Sequence, residues 1–313
     1  MTATSQLDVV TGAFSYSGGA IAARLRAAGH QVRTLTGHPE RAPADTSIAV
    51  RPLDFSDPAG LTESLRGAHT LYNTYWVRFA HGHIDHQSAV ANSEILFSAA
   101  AAAGIQRIVH VSITNPSPDS PYPYFRGKAA VERLLAASGV PSAVTRPAVL
   151  FGGEGVLINN IAWLLRRLPV FAVGDGGGYR LRPIHIDDLA QLCLDLAASP
   201  AGEGQQVTDA VGPEALTFRE LVTTIKAAVG SHAVLAPVPG TLIPVFARAL
   251  NVVLRDVLLT SDEYRAMAAG LADSPGPATG RIVLTDWIRE HGRELGTGYA
   301  HELRRHFSRP QTA

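Results

Sequence analysis

A tyrosine and a lysine four residues apart, Tyr124 and Lys128, have the side chains needed for proton transfer. Residues at positions i and i+4 of a helix lie on one face, so the phenol and the ammonium would be neighbours. The positive charge favours the phenolate form, which a general acid or base working near neutral pH requires. Tyr122 is a rival phenol, but its spacing from Lys128 puts it on another helix face.

A serine is expected to assist this pair. Ser112 ends a β-branched run that begins at Arg107 and is typical of a strand. Ligands of parallel sheets bind at the carboxyl ends of the strands, so the Ser112 hydroxyl is placed to hold a substrate carbonyl. Thr114 and Asn115 are alternatives, and a hydroxyl that only caps the strand end is the structural alternative.

Residues 11–18 lie between the first predicted strand and the first predicted helix and are typical of a phosphate-binding turn. Such a turn needs little side chain at its first, fourth and seventh positions, which here hold Gly12, Ser15 and Gly18. The serine replaces a glycine, and its hydroxyl is a possible donor to phosphate. A turn without a ligand is the alternative. The predicted cofactor contacts here are Gly12, Phe14, Ser15, Tyr16 and Gly18.

The end of the second predicted strand decides which dinucleotide binds. An acidic side chain there would bind the ribose 2′-hydroxyl of NAD and repel the 2′-phosphate of NADP. This strand ends at Thr36 and is followed by His38 and Arg41, which we predict to contact the cofactor together with Thr36. Arg33 is a further candidate. NADP(H) is therefore favoured, and Glu40 keeps NAD(H) as the alternative.

Asp54 and Phe55 follow the third predicted strand. At that edge of the sheet they are expected to flank the adenine of the cofactor. An aspartate that only caps a turn or a helix is the structural alternative.

These residues belong to an alternation of strands and helices. Strand-like runs occupy about residues 8–11, 31–36, 47–53, 70–74, 107–112 and 142–149. Helical periods separate them, and the longest covers about 86–103. The alternation predicts an α/β fold with a doubly wound parallel sheet, a Rossmann fold.

Beyond residue 152 the alternation fades and helical patterns dominate. We expect an NAD(P)-binding domain over 1–152, to which 180–212 return, and a smaller, mostly helical substrate-binding lobe over 153–313. Two capping boxes predict helix starts in that lobe, at Thr217 with Glu220 and at Thr260 with Glu263.

The overall composition narrows the choice of partners. Lys+Arg and Asp+Glu both number 27, so the formal net charge is zero and nucleic acid is not an expected partner. The single cysteine, Cys193, suits a reducing, cytoplasmic compartment. Residues 241–259 are apolar but include Pro244 and Arg248, so a membrane span is not expected. Packing within the lobe is favoured for them, with contact to a membrane surface or a partner as the alternative; homo-oligomerisation stays open.

Four segments in one order carry a family resemblance: the phosphate turn, Tyr124 to Lys128, and the runs at 146–152 and 184–190. They resemble the extended and atypical short-chain dehydrogenases, the NAD-dependent epimerase/dehydratase group. Within that group the chain is similar to bacterial relatives of the accessory Rossmann-fold subunit of respiratory complex I. The resemblance implies Tyr124 as general acid/base, Lys128 on the nicotinamide ribose, Ser112 as its helper and Pro147 beside the nicotinamide.

A cluster of imidazoles follows the fourth predicted strand: His81, His83 and His86, with Asp85 among them. We expect no metal there, because no cysteine is near and Asp85 is placed to cap the next helix. The aromatic residues of the same loop are Tyr75, Trp76 and Phe79, and they are suited to wall an apolar substrate pocket.

Three functions fit these features. The first is an NAD(P)-dependent oxidoreductase that transfers hydride to or from a small carbonyl or hydroxyl compound. The second is a nucleotide-sugar epimerase or dehydratase with retained NAD. The third is a non-catalytic NADPH-binding assembly factor or redox sensor that contacts a partner through residues 241–259.

Overall fold

The computed structural model describes residues 6–79, 85–153, 155–200 and 204–301. The chain forms two compact units. The first comprises Met1–Pro147 and Ile186–Ala210, and the second comprises Ala148–His185 and Val211–Ala313.

Thirteen strands are described: β1 (Leu7–Thr11), β2 (Gln31–Thr36), β3 (Ala49–Pro52), β4 (Thr70–Asn73), β5 (Arg107–Val111), β6 (Ser142–Pro147), β7 (Leu150–Phe151), β8 (Val170–Gly174), β9 (Arg180–Leu181), β10 (Ile184–His185), β11 (Gln206–Ala210), β12 (Leu216–Thr217) and β13 (Val234–Val238). Ten α-helices are described: α1 (Tyr16–Ala27), α2 (Pro58–Leu65), α3 (His86–Ala102), α4 (Pro123–Ala137), α5 (Val156–Arg167), α6 (Ile186–Ala198), α7 (Phe218–Ala228), α8 (Ile243–Leu254), α9 (Ser261–Ala268) and α10 (Leu284–His291).

The first unit is built on a seven-stranded sheet in the order β11-β6-β5-β4-β1-β2-β3. Every pairing in it is parallel. All residues of β4 and β5 are buried, as expected of strands covered on both faces. The strand order reverses between β1 and β4, which is where such sheets bind ligands. The predicted doubly wound sheet is confirmed.

Helix starts in both units follow their sequence signals. Asp85 begins α3 and accepts a hydrogen bond from the Ser88 amide at 2.7 Å. The boxes that start at Thr217 and Thr260 are both formed, at the beginning of α7 and of α9. Because each satisfies backbone amides that a helix cannot satisfy internally, these helix boundaries were predictable from short-range sequence alone.

The second unit has its own core, in which α5, α7 and α10 pack together with short strands. It contains three two-stranded pairings: β10 with β7, β12 with β9, and β13 with β8. The sequence predicted a mostly helical lobe, whereas β8 occupies Val170–Gly174 and pairs in parallel with β13. Proline and glycine in these short strands hide the strand pattern.

Helix α8 exposes large apolar side chains on one side. Val245, Phe246 and Val252 are 61%, 45% and 73% exposed. On its other side the helix packs within the lobe, where Ala247 is buried and Leu250 contacts the core of the second unit. No helix in the described part of the chain is long and apolar enough to cross a membrane.

Candidate active site

The turn after β1 reverses the chain sharply at Gly12. This residue has a positive φ of 69°, a conformation that favours glycine. Its amide donates to the Leu35 carbonyl of β2 at 2.8 Å, and its own carbonyl accepts from the Ser15 amide at 2.8 Å. The Ala13 amide donates to Thr34 Oγ1 at 2.9 Å. The turn is thus fixed to β2 by backbone and side-chain bonds.

The front of α1 is packed closely onto this turn through Gly18. A Cβ on Gly18 would lie 2.2 Å from the Gly12 carbonyl oxygen, so no side chain fits. Ser15 precedes the helix in an extended conformation, with φ −94° and ψ 172°, and is exposed. Tyr16 is the first helical residue. The amides of a first helical turn and its dipole together form an anion site, so this cradle fits a pyrophosphate.

Of the residues predicted to contact the cofactor at the end of β2, Thr36 and His38 lie there, whereas Arg33 does not. The Thr36 hydroxyl accepts from the His38 amide at 3.1 Å, and His38 Nδ1 lies 3.2 Å from a Glu40 carboxylate oxygen. Both members of that pair are about half exposed. Arg33 instead donates to the Ser64 carbonyl at 2.7 Å near the end of α2. Helix C-termini attract cations, which removes Arg33 from the candidates for a 2′-phosphate.

Two predicted cofactor contacts near this edge have structural partners. Asp54 accepts from the Ser56 amide and hydroxyl at 2.9 and 2.6 Å, and these bonds lower the pKa of the exposed Asp54 carboxyl. Asp54 therefore caps a turn, which is the structural alternative given for it in the sequence analysis. The Phe55 ring packs against the Tyr75 ring, with centroids 4.8 Å apart. The Arg41 side chain, together with His81 and His83, lies outside the described residues.

Lys128 is an ionisable group buried within the first unit. It lies one turn into α4 and is only 3% exposed. Its Nζ donates to the Val111 carbonyl at the end of β5 at 2.9 Å. Burial lowers the pKa of Lys128 to about 7, and the opposing effect of the Glu132 carboxylate is smaller. A lysine of this kind changes charge near neutral pH.

Tyr124 and Lys128 meet at a third residue, Trp76. The Lys128 Nζ lies 4.7 Å from the centroid of the indole ring. The Tyr124 ring meets the same indole edge-on with centroids 5.6 Å apart, and also meets His86 edge-on. Trp76 and His86 are stacked in parallel at 5.6 Å. The phenol and the ammonium therefore share one aromatic neighbour.

Ser112 and Pro147 lie at the carboxyl ends of neighbouring strands. The Ser112 amide donates to the Thr145 carbonyl at 2.8 Å, and the Thr114 amide donates to the Pro147 carbonyl at 3.0 Å. Ser112 is 4% exposed, and within the described residues its Oγ has no hydrogen-bond partner. A buried hydroxyl without a partner calls for an explanation, and a ligand oxygen would supply the missing bond.

A buried network of polar side chains lies behind this edge, and the sequence analysis did not predict it. Asn73 Nδ2 lies 3.1 Å from His110 Nδ1, and the Asn73 amide oxygen accepts from Thr11 at 3.3 Å. The Thr74 amide and hydroxyl bond to Thr11 at 2.7 and 2.6 Å. Burial, and then Lys128, lower the pKa of His110. The sequence feature that could have predicted this network is the polar residue at or near the end of each of three apolar strands, β1, β4 and β5.

A sequence profile described as NAD(P)H-binding matches residues 12–200, more than half of the chain. The chain belongs to this NAD(P)H-binding family. The match begins at the glycine of the phosphate turn and ends just after α6, so it covers the elements that carry the site described above.

Two curated relatives extend this result. The mitochondrial NADH-ubiquinone oxidoreductase 40 kDa subunit of Neurospora crassa is 22% identical over 211 residues, which is 67% of this chain but 55% of that protein. The chain thus spans about half the length of this relative. A 4-hydroxy-2-methyl-3-oxo-4-farnesyl-3,4-dihydroquinoline-1-oxide ketoreductase of Stigmatella aurantiaca is 26% identical and covers 82% of this chain and 89% of its own length.

Among solved structures, the triphenylmethane reductase of Citrobacter sp. in complex with NADP(H) superimposes with a TM-score of 0.74. The match covers 90% of this chain and 99% of that one at 19% sequence identity. At this identity the likeness supports the fold: the NAD(P)H-binding protein shares the Rossmann architecture of a reductase.

The close packing of Gly18 gives a first prediction for this NAD(P)H-binding site. Gly18→Ala should weaken NADPH binding by on the order of tenfold, about 1.4 kcal/mol, because the new Cβ must push the turn away from α1. Binding is measured by titration calorimetry. Gly19→Ala is the matched control, since its Cβ would lie 3.4 Å from the nearest atom outside the neighbouring backbone. Equal affinities in the two variants would contradict the assignment of this turn to the cofactor.

The low pKa of Lys128 predicts a pH-dependent stability. Below pH 7 the buried ammonium is charged in both states, and the folded chain carries the full penalty of burial. Between a folded pKa of about 7 and the ordinary value of 10.5, the unfolded chain binds a proton that the folded chain has lost. The free energy of unfolding therefore gains a contribution that rises with pH across this window.

This contribution should be absent in Lys128→Met. Urea denaturation across the window should show the wild type gaining stability relative to the variant as the pH rises. Lys226→Met, in α7, is the control that removes a lysine from the other unit. A constant difference between wild type and Lys128→Met at every pH would show that the ammonium is not buried in this way.

Proposed function

We propose that this protein is an NADP(H)-dependent oxidoreductase that transfers hydride between the nicotinamide and a small carbonyl or hydroxyl compound. The observation that carries the proposal is the buried Lys128, with a pKa of about 7, which shares Trp76 with Tyr124 in one site. Perturbed ionisable groups at the carboxyl edge of a parallel sheet are characteristic of catalytic sites.

Each residue has a role in carbonyl reduction. The bound cofactor supplies a hydride, with its electron pair, to the carbonyl carbon. Tyr124 gives its phenolic proton to the carbonyl oxygen as the π electrons move onto that oxygen. Ser112, whose hydroxyl is buried, donates a hydrogen bond to the same oxygen. Lys128 favours the resulting phenolate and, because its pKa is near neutrality, returns a proton to it.

The choice of NADP(H) over NAD(H) rests on the end of β2. Thr36 and His38 lie there, β2 itself contains no acidic residue, and the Glu40 carboxylate lies beside His38. Glu40 lies beyond the strand, whereas an acidic side chain that binds the ribose 2′-hydroxyl of NAD is expected at the strand end itself. The NADP(H) complex of the triphenylmethane reductase, which has the same fold, supports this choice.

The substrate class is supported by the surroundings of Tyr124. The rings of Trp76, His86 and Phe125 contact the tyrosine. An apolar carbonyl compound fits such a wall better than a sugar diphosphate does, because a diphosphate requires cations. The relative from Stigmatella aurantiaca, a ketoreductase by name, is consistent with carbonyl chemistry.

Cofactor choice is tested by thermal shift with NADPH, NADP⁺, NADH and NAD⁺ in parallel. At about 100 times its dissociation constant a ligand stabilises the fold by about 2.7 kcal/mol. We expect the phosphorylated pair to stabilise the protein at concentrations where the other pair does not. His38→Asp should reverse or abolish this preference, and a wild type stabilised equally by both pairs would remove the argument from the end of β2.

The chemical role of Tyr124 is tested by Tyr124→Phe. This variant should keep NADPH affinity within about twofold and lose carbonyl turnover by about 10² or more, the usual contribution of a positioned proton donor. Tyr122→Phe is the matched control, because it removes a phenol at the N-cap of the same helix. Turnover is followed by NADPH oxidation over a panel of ketones and aldehydes. Full activity of Tyr124→Phe would reject the assignment.

A second candidate function is favoured by one observation, the exposed apolar face of α8. A dinucleotide-binding protein that docks a partner through this face would bind NADPH without turning over any carbonyl compound. The relation to the 40 kDa subunit of Neurospora crassa is consistent with it. The carbonyl panel separates the two candidates, because turnover that depends on Tyr124 is expected only of the enzyme.

A further inference from the structure

We propose that Trp76 is a displaceable plug of the candidate active site: its indole covers the Lys128 ammonium and leaves that position when the nicotinamide ribose of the cofactor binds. The proposal rests on the proposed function, because NADP(H) is the ligand that displaces the ring. It adds a gating residue to that function.

The first observation is that the indole occupies the surroundings of the group expected to bind the ribose. Lys128 Nζ has one donor directed to the Val111 carbonyl at 2.9 Å and lies 4.7 Å from the centre of the Trp76 ring. The ribose hydroxyls need the remaining donors of the same nitrogen. The ring and a sugar bonded to those donors compete for the space around one nitrogen, which is why the indole is proposed to move.

The second observation is a notch in α4 that receives the ring. A Cβ on Gly127 would lie 2.7 Å from Cη2 and 3.2 Å from Cζ2 of Trp76. The indole reaches its position because residue 127 has no side chain. Gly127 has an ordinary negative φ within the helix, so its backbone does not demand glycine, and space for the indole is the physical reason for glycine here.

The third observation is an incomplete set of hydrogen bonds. Within the described residues, Trp76 Nε1 is buried and has no partner. A buried N–H without an acceptor disfavours the plugged position, whereas the contacts with Lys128, His86 and Tyr124 favour it. Because these effects oppose each other, an incoming ligand can shift the balance between two positions of the ring.

The backbone before the ring is fixed, which defines what moves. Thr74 is bonded to Thr11 through both its amide and its hydroxyl, and the Tyr75 amide donates to the Asn73 side chain at 3.0 Å. Rotation of the Trp76 side chain is therefore the motion we infer, with β4 and the phosphate turn staying in place.

The experiment uses Trp76 as its own reporter. The chain has three tryptophans, and Trp163→Phe with Trp287→Phe leaves Trp76 as the single one. Both replaced residues belong to the second unit. Acrylamide quenching of the remaining fluorescence is measured without ligand and with saturating NADP⁺ or NAD⁺, while a thermal shift on the same samples reports binding.

We expect the quenching constant to be low without ligand and to rise several-fold with the dinucleotide that binds. A thermal shift with unchanged quenching would overturn the plug and leave the proposed function intact. No thermal shift with either dinucleotide would overturn both.

Two variants, Gly127→Ala and Trp76→Ala, test whether the position of the indole limits NADP⁺ binding. Gly127→Ala should expel the ring, so that ligand-free quenching rises and the dissociation constant for NADP⁺ falls several-fold, since no part of the population is then plugged. Gly178→Ala is the matched control, because a Cβ there meets no atom within 4 Å. Trp76→Ala should likewise tighten NADP⁺ binding. Weaker binding by Trp76→Ala in a chain that keeps its cooperative urea transition would show that the indole is a binding platform and would overturn the proposal.

Discussion

The placement of one ammonium group constrains the rest of the first unit. Lys128 is buried, and removing its charge from water is unfavourable unless other groups replace the lost hydration. The Val111 carbonyl and the face of Trp76 do so in part. The replacement is incomplete, which is why the pKa falls to about 7 instead of keeping its ordinary value. Under the proposed function, the same incompleteness suits the group to proton transfer near neutrality.

The polar network across β1, β4 and β5 supports this arrangement. Thr11, Asn73 and His110 are buried, yet each has a partner in a neighbouring strand. Buried polar groups that satisfy one another specify a single register, because a shift of one strand would leave several of them without partners. Through Thr74 the network also fixes the start of the segment that carries Trp76.

The turn after β1 and the pair Tyr124 and Lys128 thus lie at one edge of one sheet. Gly12 and Gly18 bring α1 close to the end of β1, and α4 follows β5, the strand next to β4 on the other side of the reversal in strand order. A dinucleotide that spans this reversal would extend from the pyrophosphate site toward Lys128. Under the proposed function, the position of Trp76 at the far end of that path would link cofactor binding to exposure of Tyr124 and Lys128.

The amino-acid sequence by itself determined the local features: the strand and helix alternation, the capping boxes at Thr217 and Thr260, and the small residues of the phosphate turn. Each depends on residues close together in the chain, so short-range patterns suffice. Tertiary structure alone decided that Arg33 donates a hydrogen bond near the end of α2 and that the His110 ring lies within hydrogen-bond distance of Asn73. It also decided that Trp76 covers Lys128, fifty-two positions further along the chain. Such contacts depend on which strands become neighbours and on how side chains fill the space between them, and spacing along the chain does not encode that.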